Sequence, residues 1–153
     1  MLRTRLNESL KEAMKAKDQR TVSTVRLILA ALKDRDIAAR PRGVTDGIDE
    51  TEILSMLQTM IKQRQESITM YEQGGRCELA EQEREEIAVI EGFLPKQLSD
   101  GETKQAIDEV IAEIGAASIK DMGRTMAELR TRYAGRMDFT KVSGIVKQVL
   151  ASS

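Results

Sequence analysis

Apolar residues recur every three or four positions along almost the whole chain, and no stretch shows the strict alternation of a half-buried strand. That period confines the chain to helices that each bury one stripe. Leu2, Leu6, Leu10 and Met14 mark a first helix over about 2–16. Asp18 is placed to cap a second, running to about Arg40 with the stripe Val22, Val25, Leu29 and Leu32, before Pro41 and Gly43 stop it. Asp49 and Glu52 have capping-box spacing and open a third helix over about 50–73, which Gly74-Gly75 ends. A fourth covers about 77–93 with Leu79, Ile87, Ile90 and Leu94 on one face, until Pro95 removes an amide donor. Ser99 and Glu102 repeat the capping box for a fifth helix reaching about Ile114. Ser118 caps a sixth over about 119–134, and Asp138 a seventh over about 139–150.

The expected fold is therefore all-α. The natural boundary is the Pro95-containing stretch 94–99. It separates an N-terminal domain of four helices (1–95), built on a long antiparallel hairpin, from a small three-helix C-terminal domain (96–153). The second piece lies close to the lower size limit for a self-supporting core, so it would lean on the first domain or on a partner.

Composition removes whole classes of chemistry. The chain has no His, so the commonest general acid/base and the commonest metal ligand are missing. The lone Cys77 can form neither an intrachain disulfide nor a thiolate metal cluster. Without a disulfide, a reducing cytoplasm is the simplest expected compartment. Cys77 follows Gly74-Gly75-Arg76 near a helix start, a setting that can activate a thiol. With no His as base, a catalytic role is not expected of it. No run approaches the length of a membrane span, and the charged N-terminus does not read as a secretory signal. No phosphate-binding glycine loop or dinucleotide turn occurs, and neither metal nor cofactor is expected.

The net charge of −1 hides an asymmetry. Residues 1–44 carry 11 basic and 5 acidic side chains, and residues 45–95 carry 4 and 12. Residues 96–117 carry 2 and 5, and residues 118–153 carry 7 and 3. Two basic blocks around an acidic one fit either oppositely charged helices lying side by side or an anion-binding footprint.

Two charged residues interrupt apolar stripes. In the third helix, Arg64 falls between Ile61 and Ile68; in the fourth, Glu83 falls between Leu79 and Ile87. Folding the two helices back through Gly74-Gly75 sets Arg64 and Glu83 across the seam. A partly buried structural ion pair is expected there, with ligand binding by Arg64 as the other reading. Arg26 sits at a stripe edge, where its stem covers apolar surface. Toward the chain's end, Lys120, Arg124, Arg136, Lys141 and Lys147 are candidates for gripping nucleic-acid phosphate, Arg124 and Arg136 lying beside glycines at helix ends. The plainer reading is a solvated face.

Five segments together resemble a known family. They are Thr21-Val22-Ser23-Thr24-Val25-Arg26-Leu27-Ile28; Ile61-Lys62-Gln63-Arg64-Gln65-Glu66-Ser67-Ile68 with Tyr71; Gly75-Arg76-Cys77-Glu78-Leu79-Ala80-Glu81; Phe93-Leu94-Pro95-Lys96-Gln97-Leu98-Ser99; and Lys120-Asp121-Met122-Gly123-Arg124. Their order and spacing resemble the YqeY-like proteins, stand-alone relatives of the C-terminal part of the B subunit of tRNA-dependent amidotransferase. The resemblance covers essentially the whole chain and implies a two-part helical fold. It also implies a link to carbon–nitrogen ligase activity with glutamine as amide donor, and contact with tRNA. It carries Lys62, Arg64, Ser67 and Tyr71 over in the hairpin, and Met122, Gly123, Arg124, Gly135 and Arg136 in the small domain. No catalytic residue is assigned, because neither a glutamine amidase centre nor an ATP-using centre can be read here. The expected partners are tRNA, amidotransferase subunits or other translation proteins. The rival expectation is a protein-interaction adaptor with no RNA contact.

Overall fold

The computed structural model describes residues 1–152. The described residues are helices joined by turns, with no strand among them, and the chain divides into two compact units, Met1–Pro95 and Lys96–Ser153.

The larger unit holds α1 (Leu2–Ala16), α2 (Gln19–Ala39), α3 (Glu50–Gln73) and α4 (Cys77–Glu91). Only Lys17 and Asp18 separate α1 from α2. Lys17 takes a left-handed conformation (φ 58°), and the Asp18 carboxylate accepts from Thr21 N (3.2 Å) and Thr21 Oγ1 (2.7 Å). After α2, Arg40–Arg42 tighten into a 3-10 turn where Pro41 would have broken an α-helix. At the start of α3, Asp49 accepts from Glu52 N at 2.9 Å, while the Glu52 carboxylate lies 3.5 Å from Arg42. The fourth helix stops two residues short of its expected end. Gly92 caps it, and Phe93 and Leu94 continue in three-residue turns that send the buried Phe93 ring inward.

The core of this unit gathers Leu2 and Leu6 from α1, Val25, Ile28 and Leu32 from α2, Ile53, Leu57 and Met60 from α3, and Ile90 from α4, with Phe93 beyond it. α3 and α4 form the antiparallel hairpin, α4 also packs on α2, and α2 on α1. Core burial on α3 ends at Met60: Ile61, Ile68 and Tyr71 are half-buried and Met70 is exposed. Charged pairs hold the outer part of the hairpin, with Arg84 reaching both Glu72 and Glu81.

The smaller unit holds α5 (Asp100–Ile114), α6 (Met122–Arg132) and α7 (Phe139–Ala151) around Ile107, Val110, Met126, Leu129, Val142, Val146 and Leu150. Ser99 and Glu102 satisfy each other's backbone amides, at 3.0 and 3.2 Å, and so start α5. Ser118 opens a 3-10 turn, Ile119–Asp121, instead of the sixth α-helix itself, which begins at Met122 and closes at Arg132. Asp121 turns its carboxylate back to Ala117 N and Ser118 N, and that favours the tighter turn.

Candidate nucleic-acid interface

The cations of the smaller unit fall into two groups. Arg124 and Arg136 each already have partners within the unit, although the Arg124 side chain is 54 % exposed. Arg124 Nε and Nη2 both lie 3.0 Å from Asp121 Oδ1, and its Nη1 donates to Ile114 O at 2.9 Å, closing the C-terminal end of α5. This guanidinium, with the two backbone amides, holds the Asp121 carboxyl below its ordinary range; the Ala117 amide contributes most. Arg136 Nε donates to Lys96 O at 3.0 Å, and its guanidinium lies 6.0 Å from the centre of the Tyr133 ring. The turn around it is tied twice more: Leu98 N donates to Arg136 O, and Gln97 Nε2 to Gly135 O. Gly135 sits at φ 77°, where a side chain would strain the turn, so its role is conformational. Gly123 is different: a Cβ there would meet nothing within 4 Å, so no packing demands a glycine.

Lys120, Lys141 and Lys147 form the second group. All three are exposed, and none makes an ion pair among the described residues. α7 contains no acidic residue along its 13 positions. Lys141 and Lys147 stand roughly 120° apart around it, on either side of the exposed Gly144 and Gln148. The turn bearing Lys120 packs against α7. Arg130 adds a cation near the helix start, 5.8 Å from the centre of the Phe139 ring. By contrast, Arg132 is claimed by Glu113 and Glu128.

In the larger unit, Arg64 belongs to a partly buried network. Its side chain is 14 % exposed. Nε donates to Glu86 Oε2 at 2.9 Å and Nη1 to Met60 O at 3.1 Å, with Glu83 Oε2 at 3.9 Å. Arg20 from α2 joins, 2.9 Å from Glu85 and 3.9 Å from Glu86. Burial raises the Glu83 pKa, the nearby Glu86 charge adds to the rise, and Arg64 opposes both. Glu86, 12 % exposed, holds the short bond and was not singled out from the sequence, although its place one turn beyond Glu83 on the same face could have flagged it. Of the hairpin residues carried over by resemblance, Lys62 is exposed, while Ser67 and Tyr71 are half-buried. Cys77 is exposed at the start of α4. Among the described residues, no group of three or more Asp, Glu or Cys side chains could hold a metal ion, and no helix is long and apolar enough to cross a membrane.

A family model described as "Yqey-like protein" matches residues 3–150. The chain belongs to that family. Curated relatives named "Altered inheritance of mitochondria protein 41, mitochondrial" share the match. The protein from Pyrenophora tritici-repentis is 28 % identical over 97 % of this chain and 80 % of its own length. The Kluyveromyces lactis protein is 25 % identical over 93 % of this chain and 72 % of its own. The Lachancea thermotolerans protein is 29 % identical over 71 % of this chain, which spans only 57 % of that relative. The expectation of a cytoplasmic setting is corrected here, because the relatives are named as mitochondrial proteins. A missing disulfide fits any compartment that keeps thiols reduced, so it could not single out the cytoplasm.

Proposed function

We propose that this family member is a non-catalytic accessory to tRNA-dependent amidation that holds RNA backbone through the cationic surface of its smaller unit. The observation that carries this reading is α7, an acid-free helix whose two lysines are exposed and unpaired. A patch of lysines with little aromatic surface suits phosphate contacts that are blind to base identity. Lys120 and Arg130 extend the same cationic supply. The resemblance ties the chain to carbon–nitrogen ligation with glutamine as donor. The chain has no His, the commonest base for amide hydrolysis, and in this reading the bond-making falls to a partner subunit. The relatives' names support a mitochondrial setting.

Titration of the full chain with tRNA at about 50 and about 200 mM salt tests the reading, since each phosphate contact contributes a slope of roughly −0.7 to −0.9 in log K against log salt. Binding that weakens by tenfold or more between the two conditions is expected. Absence of binding at the lower salt, or affinity indifferent to salt, overturns it. The adaptor reading gains from one observation: Arg124 and Arg136 are already engaged within the fold.

A further inference from the structure

A second surface, in the larger unit, is independent of the RNA reading. Met14, Lys17, Gln19, Val22, Ser23 and Arg26 line a depression of about 490 Å³ between the end of α1 and the start of α2. Its floor is aliphatic: Met14 is 52 % exposed, and Val22 is half-buried beside it. The half-buried Leu29 and the exposed Ile37 prolong that strip along α2. The rim is cationic. Lys17 stands at the hinge, and Arg26 and Lys33, two turns or roughly 10 Å apart along α2, alternate with Val22, Leu29 and Ile37 on the same face. None of the three makes an ion pair among the described residues, and none of the six lining residues is acidic. Of the nearby acids, Asp18 caps Thr21 and Asp36 is bound by Arg3, while the exposed Asp34 follows Lys33 and does not line the depression.

Cations interleaved with aliphatic side chains, about one helical turn apart along one face, are the complement of one kind of object. We infer that the α1–α2 face docks an amphipathic acidic helix of a protein partner, with leucine- or methionine-type side chains on Met14, Val22 and Leu29 and carboxylates facing Lys17, Arg26 and Lys33. Charge complementarity selects the acidic sequence, and the aliphatic floor selects a helix over a nucleotide strand, which would want aromatic rings to stack on. The proposal also gives Arg26 and its neighbours, within the family-like segment Thr21–Ile28, a role that the RNA reading leaves empty.

The probe is a labelled 20-residue designed helix with a leucine stripe flanked by Glu, compared with the same stripe flanked by Lys. Both are titrated against the full chain by fluorescence anisotropy. The Glu peptide is expected to bind at least tenfold more tightly than the Lys peptide. Arg26→Glu with Lys33→Glu should abolish that preference, and Met14→Glu should weaken the Glu peptide at least tenfold. All three positions are exposed, so circular dichroism of the variants should match the parent. Equal binding of the two peptides, or unchanged binding in the variants, overturns the proposal. Two further results also overturn it: tRNA competing the peptide away equally well from parent and Met14→Glu protein, which makes the face a polyanion site, and self-association of the chain that Met14→Glu dissolves, which makes its occupant a second copy.

Discussion

Arg3 and Asp36, 33 residues apart, close a two-armed ion pair with both N···O distances at 2.8 Å. Arg3 also donates to Ile48 O at 2.9 Å, and Asp36 accepts from Ile48 N at 2.9 Å. The pair thus fastens α1, α2 and the loop before α3 at one point. Leu2 N donates to Glu50 Oε1 at 2.7 Å close by.

Acid should loosen this fastening first. The bond from Arg3, helped by the Ile48 amide, holds the Asp36 carboxyl at about 2, against 3.8 when unperturbed. Its stabilisation is complete above the unfolded value and is lost as pH falls through the window from 3.8 to about 2. Discounted for the partial exposure of both side chains, the contribution is about 1–2 kcal/mol. Asp36→Asn should therefore be clearly less stable than the parent in urea at about pH 6, and the gap should shrink by about pH 2.5. A gap independent of pH would show that the pair is not what titrates.

Gly47 bears on the same point. Its φ is 95°, and a Cβ there would come within 2.5 Å of Arg3 Nη2. Gly47→Ala should cost about 1–3 kcal/mol through backbone strain and displacement of the guanidinium. Because both changes act through Arg3, the double variant with Asp36→Asn should lose less than the two single losses combined. Full additivity in a double-mutant cycle would separate glycine strain from the ion pair.

The Arg64 network predicts opposite signs for two substitutions. Arg64→Met removes the cation closest to Glu83 and Glu86 in a half-buried seam, leaving Glu86 only the 3.9 Å approach of Arg20, and should destabilise by about 3 kcal/mol. Glu83 has a raised pKa, so its ionised form is the disfavoured one in the fold, and it subtracts stability above that pKa. Glu83→Gln should then raise Tm slightly at neutral pH, with the benefit disappearing once pH drops below the carboxylate range. A loss of Tm on Glu83→Gln would mean that its 3.9 Å approach to Arg64 outweighs burial.

What could be read from sequence tracks how local each signal is. The expected limits of the first and third helices agree with Leu2–Ala16 and Glu50–Gln73, because caps and breakers act within one turn. The Ser118 turn was harder: Ser118 caps equally well whether α or 3-10 follows, and Asp121 decides between them. Arg3 with Asp36 was out of reach, since nothing in either helix's own periodicity marks a partner 33 residues away. Arg124 has partners that the sequence reading did not name. Asp121 stands three residues before it, a spacing that pairs charges on one helical face, so its engagement was available in the sequence. Lys141 and Lys147 read from the sequence as one set with Arg124 and Arg136, and only the partners each finds in the fold divide that set.

That contrast yields the sharpest test of the cationic surface. Arg124 closes the end of α5 and steadies Asp121, so Arg124→Ala should cost the smaller unit about 1–2 kcal/mol, the loss of charge-assisted hydrogen bonds in a largely exposed setting. Its effect on tRNA affinity should be small. Lys141→Glu with Lys147→Glu should do the reverse: both side chains are exposed and unpaired, so Tm should barely move. Losing two phosphate contacts should lower tRNA affinity at least tenfold and flatten the salt slope by about 2. Thermal melts and tRNA titrations on the same preparations separate the two behaviours. If Arg124→Ala abolished binding while the double lysine variant bound like the parent, α7 would not be the RNA-facing element, and the anion would have to be gripped at the α5–α6 turn.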